Sequence, residues 1–259
     1  MQAAQFIASA EAAAGPLFAA GTRVGERIEK AVRASFDAAG CNTNLGIVLL
    51  CAPIAAAIER PSPQQGFLTA AALNRRIEAV LVDLDIDDAR AAYRAIAMAN
   101  PGGLGRAPTQ DVHAPPSLDL RQAMALAADR DLIARQYRDG YADLFGPVLA
   151  ALPFGFALGP GEPSAADIEV VQQLYLNLLS SRPDSHIVRK HGEAVAQNVM
   201  STAQGLLRRH PAPAALDADP QWSAWDAELK ARAVNPGTTA DLTVATLLLA
   251  GMSAGCGAR

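Results

Sequence analysis

Leu45-Gly46-Ile47-Val48-Leu49-Leu50-Cys51-Ala52-Pro53-Ile54-Ala55-Ala56-Ala57-Ile58 is apolar almost all round. A segment of that length without a polar face reads as a helix buried on every side, a central helix about which others must pack. Pro53 lacks an amide hydrogen and crowds the preceding turn, so it predicts a kink or break there. The lead-in, Gly40-Cys41-Asn42-Thr43-Asn44, is polar. One such side chain is enough to cap the helix. The surplus of Asn42, Thr43 and Asn44 can present donors and acceptors to a polar ligand at the positive end of the helix.

Helical periodicity extends outward from this segment. Ile28, Val32 and Phe36 recur at four-residue intervals between Gly21 and Ala39, with Glu26, Glu29, Lys30 and Arg33 on other faces. Gln64 to Val80 and Asp87 to Met98 read as amphipathic helices. Leu81-Val82-Asp83-Leu84 has no partner strand and reads as a helix end and connector. Asn100 to Pro116 is a loop rich in Gly and Pro, after which Ser117 is expected to cap one long helix through Arg138. Phe145 to Pro163 is expected to be irregular and buried. Ser164 caps a helix from Ala165 to Leu179, and Pro183 opens another running to about Leu207. Ala212 to Pro220 is a linker. The last helices span Trp222 to Ala233 and Gly237 to Met252. The expected fold is all-α, a single-domain multi-helix bundle spanning residues 1–259, with roughly ten helices around an Ala/Leu-rich core.

Of the 259 residues, 51% are hydrophobic and 19% charged, enough apolar surface for a sizeable core. A net charge of −4 excludes a global nucleic-acid footprint. Cys41, Cys51 and Cys256 are odd in number and lack zinc spacing, which fits a reducing, cytoplasmic setting without a disulfide framework. Glu11 interrupts the first apolar run, unlike a signal peptide, and Val244 to Met252 is too short to span a bilayer.

Five places could carry chemistry. Asn100-Pro101-Gly102-Gly103-Leu104-Gly105 lets backbone amides approach an anion, with Gly103 and Gly105 as the permissive positions, though a plain turn explains it equally. Asp111-Val112-His113 adds a carboxylate and an imidazole able to bind a metal or move a proton. On the expected long helix, Asp131 and Arg135 form a routine exposed pair. Asp129 shares a face with Ile133 and Gln136, beside Arg130. Asp184-Ser185-His186-Ile187-Val188-Arg189-Lys190 is the sharpest signal. Asp184 can cap the helix, and His186, Arg189 and Lys190 share one face. Basic groups near a helix start imply an anion between them. Thr238 and Asp241 fit a capping box, leaving Gly237 and Thr239 for ligand contact.

Together, Gly40-Cys41-Asn42-Thr43-Asn44-Leu45-Gly46, Gly103-Leu104-Gly105, Asp184 with Arg189 and Gly192, and Thr239-Ala240-Asp241-Leu242 resemble the triphosphoribosyl-dephospho-CoA synthase family, over about Phe18 to Leu249. The chain is similar to family members found in methylotrophs near genes for tetrahydromethanopterin and related one-carbon carriers. The resemblance implies a cytoplasmic ATP-dependent ribosyl transferase. The 2′-hydroxyl of dephospho-CoA attacks C1′ of the ATP ribose, adenine leaves, and the triphosphate stays on the sugar.

Such chemistry asks for carboxylates near an oxocarbenium-like centre, an acid and a base, and cations for phosphate. The implied catalytic residues are Asp184, Asp241 and Asp111, with Asp184 and Asp111 also holding Mg²⁺. The implied nucleotide contacts are Asn42, Thr43, Asn44, Gly103, Gly105, Asp129, Arg130, Ser185, His186, Arg189, Lys190 and Thr239. The implied partners are ATP and dephospho-CoA or a related acceptor, with no nucleic acid and no membrane; a homodimer is compatible. The family reads Asp-Thr-Asn where this chain reads Asp184-Ser185-His186. It also carries an earlier Pro-Gly turn and a Gly-(Ala)-His-x-Asp-Met motif that would precede Met1. The alternatives are an enzyme of tetrahydromethanopterin or methylofuran biosynthesis and a catalytically inactive nucleotide-binding protein.

Overall fold

The computed structural model describes residues 3–60, 68–102, 105, 109–159 and 161–254. These residues are helical throughout their regular elements, with no strand among them. The chain divides into two compact units, Met1–Asp143 and Leu144–Arg259.

The first unit contains α1 (Ala3–Leu17), α2 (Val24–Ala39), α3 (Leu45–Glu59), α4 (Ala70–Val82), α5 (Ile86–Ala99), α6 (Leu120–Ala125) and α7 (Leu132–Asp139). Helix α3 packs against α1, α2, α4 and α7, the central position its composition demands. Leu50, Ala52, Ile54 and Ala57 are fully buried. The expected break at Pro53 does not occur, and α3 runs through it. The reason lies in two buried tyrosines. Proline cannot donate to the carbonyl four residues back, which is Leu49. The Tyr137 hydroxyl donates to that oxygen at 2.7 Å, and Tyr141 donates to the Leu50 oxygen at 2.7 Å.

The expected long helix from Ser117 to Arg138 is two short ones. Asp119 caps α6 by accepting from the Gln122 amide, and Asp131 caps α7 by accepting from Ile133 and Ala134. Short polar side chains prefer such caps to helix interiors. Asp129 therefore sits on an exposed turn, off any face shared with Ile133, and pairs with Arg138. Arg135 turns to Asp143 and Asp139 rather than to Asp131. Gly25 allows α2 and α5 to touch: a Cβ there would lie 2.5 Å from the Asp88 backbone. Asp88 accepts from the Gly25 amide and from Arg23 across the same contact.

The second unit begins with an irregular helical turn, Leu144–Val148, followed by α8 (Ala165–Ser181), α9 (Ser185–His191), α10 (Glu193–Arg209), a 3-10 turn at Leu216–Ala218, α11 (Pro220–Ala231) and α12 (Gly237–Ala254). Leu176, Leu179, Ile187, Ala196, Val199 and Ala203 form its core. Ser164 caps α8 within a capping box closed by Asp167, the start expected from sequence. The helix expected from Pro183 to Leu207 breaks at Gly192, whose φ of 87° is accessible mainly to glycine. The stretch after Phe145 is irregular as expected but largely exposed, Phe154 completely so. No helix among the described residues is long and apolar enough to cross a membrane.

Candidate functional site

In the second unit, the starts of α9 and α12 meet at one carboxylate. Asp184 is fully buried. One of its oxygens accepts from the backbone amides of His186 and Ile187 at 2.8 and 3.0 Å, capping α9 as the sequence implied. The other accepts from the amide and hydroxyl of Thr239 at 2.7 and 2.8 Å, reaching the first turn of α12. Ser185 donates to the Thr238 hydroxyl beside it at 3.0 Å. Burial pushes the Asp184 carboxyl above the usual carboxylate range, while the bonds from Thr239, Ile187 and His186 pull it back. Helix α12 opens at Gly237, so Thr238 lies inside its first turn rather than at the cap.

His186 packs over Gly237, where a Cβ would sit 3.1 Å from its Nδ1. Its Nε2 is buried without a hydrogen-bond partner. Burial, reinforced by Lys190 and Arg189, lowers its pKa to about 4. The sequence reading of His186 as a third cation is thereby corrected: at neutral pH it is an uncharged ring in a positive field. The argument that basic groups crowd a helix start also changes. Helix α9 has only 7 residues, so Arg189 and Lys190 fall in its last turn, where the dipole itself favours cations. Asp241 is half-buried, farther along the first turns of α12.

The remaining expected residues lie in the first unit. Asn44 holds the N-cap position of α3 without a side-chain cap bond, and the Asn42 oxygen accepts from the Leu45 amide at 3.2 Å. Asn44 reaches back toward the Ser9 carbonyl at 3.5 Å, and the Thr43 hydroxyl is buried without a partner. Asp111 accepts from the His113 amide at 2.9 Å, a local turn. Arg130 is exposed beside Asp129. Gly105 has a left-handed φ of 68°, in keeping with the permissive role expected there; Gly103 lies outside the described residues. Among the described residues, no three histidine, cysteine or acidic side chains gather closely enough to hold a metal ion.

The sequence reading passed over a cavity of about 290 Å³ lined by Tyr175, Trp222, Trp225 and Pro236, among others. Its signal was present: Trp222 and Trp225 are spaced to share one face of α11 and are the chain's only tryptophans.

A model of the ATP:dephospho-CoA triphosphoribosyl transferase family matches residues 1–259. A crystal structure assigned as a triphosphoribosyl-dephospho-CoA synthase from Archaeoglobus fulgidus is similar over 100% of both chains, with a TM-score of 0.73 and 22% identity, which shows a shared fold. No curated protein matches the sequence.

Proposed function

The chain belongs to the ATP:dephospho-CoA triphosphoribosyl transferase family, and from that premise we propose that the paired starts of α9 and α12 hold the nucleotide during transfer. The family's reaction uses ATP and dephospho-CoA. The bond from C1′ to adenine breaks, the bond from C1′ to the acceptor oxygen forms, and the hydroxyl proton leaves as adenine gains one.

The observation that carries the assignment is the buried, unpartnered Nε2 of His186 within the field of Lys190 and Arg189. An unsatisfied buried nitrogen costs free energy unless a ligand completes it. A neutral imidazole can give or take one hydrogen bond at that atom, and the positive charge beside it suits phosphate. Asp184 has its oxygens committed to α9 and α12, so we assign it to positioning. Asp241 is the less buried carboxylate of the two, and we assign it the acceptor's proton. Roles for Asn42, Thr43, Asn44, Gly105, Asp111, Asp129 and Arg130 rest on the family resemblance alone.

The Asp184 carboxylate already accepts four hydrogen bonds, so a metal bound there would have to displace some of them. Mg²⁺ is better placed as the counter-ion that ATP brings with its triphosphate.

Incubating the protein with ATP and dephospho-CoA should release adenine, measured by liquid chromatography; no adenine would overturn the assigned reaction. Lys190→Ala should raise the KM for ATP roughly tenfold, the scale of a lost charge-assisted hydrogen bond. An unchanged KM would place the phosphates elsewhere.

A further inference from the structure

We propose that the cavity between α8 and α11 is an adenine pocket, an inference that rests on the family reaction only in naming which adenine-bearing molecules reach it. Tyr175 from α8, Trp222, Trp225 and Leu229 from α11, and Asn235 and Pro236 ahead of α12 line it. Its volume of about 290 Å³ lies at the small end of ligand sites, room for one heterocycle rather than a whole nucleotide. The two indoles meet edge to face, centroids 5.8 Å apart and planes at 63°. Each packs inward against the core of the unit while bordering the cavity.

An aliphatic ligand would need only apolar walls. These walls are aromatic and carry polar groups, including the Asn235 amide and the Asp226 and Lys230 pair. Stacking surfaces with an amide at the rim suit a flat ring with nitrogen donors and acceptors on its edge. Position supports the same occupant. Pro236 borders the cavity and directly precedes Gly237, where α12 begins. A ring seated here would hold its attached sugar beside the Asp184 and Thr239 contact. Tyr175 also spans the two regions: burial first, then the charges of Asp184 and Asp226, keep its hydroxyl protonated.

Adenine occurs in both substrates, and the test separates them. Trp222 and Trp225 are the only tryptophans in the chain, so indole emission reads this cavity alone. The full-length protein is titrated with ATP, with dephospho-CoA and with inorganic tripolyphosphate, exciting at the red edge of indole absorption where adenine is transparent. A saturable emission change with ATP but not dephospho-CoA assigns the pocket to the donor, and the reverse assigns it to the acceptor. Tripolyphosphate should have no effect. No change with either adenine-bearing ligand, or an equal change with tripolyphosphate, overturns the pocket. Asn235→Ala, at an exposed position that should not disturb folding, is expected to weaken the responding ligand about tenfold, while unchanged affinity argues against the pocket. Adenine release without an emission change would remove the pocket and leave the reaction standing; an emission change without adenine release would do the opposite.

Discussion

Burial together with Lys190 and Arg189 lowers the His186 pKa from 6.5 to about 4. Above the unfolded value, neither state binds the proton. Between 6.5 and about 4 the unfolded chain takes it up and the folded chain does not. The folded state therefore loses stability as pH falls through that window. His186→Gln removes this linkage. In urea unfolding, the wild type should lose stability relative to the variant on going from neutral pH to pH about 4; a pH-independent difference would show that the ring is hydrated. The raised pKa of Asp184 acts in the opposite sense and is shared by both proteins. What the sequence displayed at this scale was residue type: Asp184 as a cap and the basic face that follows it. It could not display burial, and burial keeps the His186 ring neutral well below the pH at which a free imidazole charges.

Pro53 sits mid-helix in α3 because a distant hydroxyl supplies the donor it lacks. Tyr137 lies 88 residues beyond Leu49, the carbonyl it serves, so no local window could have forecast an unbroken helix. Tyr137→Phe leaves the buried Leu49 carbonyl without that donor and should cost about 1–3 kcal/mol. In a Pro53→Ala background the restored amide at position 53 can serve Leu49, so the same change should cost markedly less. A double-mutant cycle in urea measures the difference, and strictly additive costs would sink the account. The split of the expected long helix into α6 and α7 had a readable cause, because Asp119 and Asp131 are both good caps. Ser117 competed for the same assignment, and sequence alone does not say which polar residue faces a helix start. Gly192 was visible too, but a lone glycine is tolerated in many helices, and only its φ of 87° reveals the break.

Across the whole chain, apolar periodicity was sufficient for the all-α class, since nearly every segment with a 3.6-residue repeat became a helix. The division after Asp143 left no trace in composition; it emerges from which helices contact which. The candidate site was legible in part for the same reason. Caps and cations announce themselves locally, whereas the joining of Asp184 to Thr239 crosses 55 residues. That joining has a consequence for how the unit opens. A single carboxylate terminates two helices, so neither start can fray without releasing the other. In native-state hydrogen exchange the amides of His186, Ile187 and Thr239 should behave as one cooperative opening unit despite their separation in sequence. Thr239 exchanging well before the other two would mean the helices let go separately. If the three exchange together, a ligand that steadies the beginning of α12 also slows the breathing of α9, and protection can pass between them with no change in average shape.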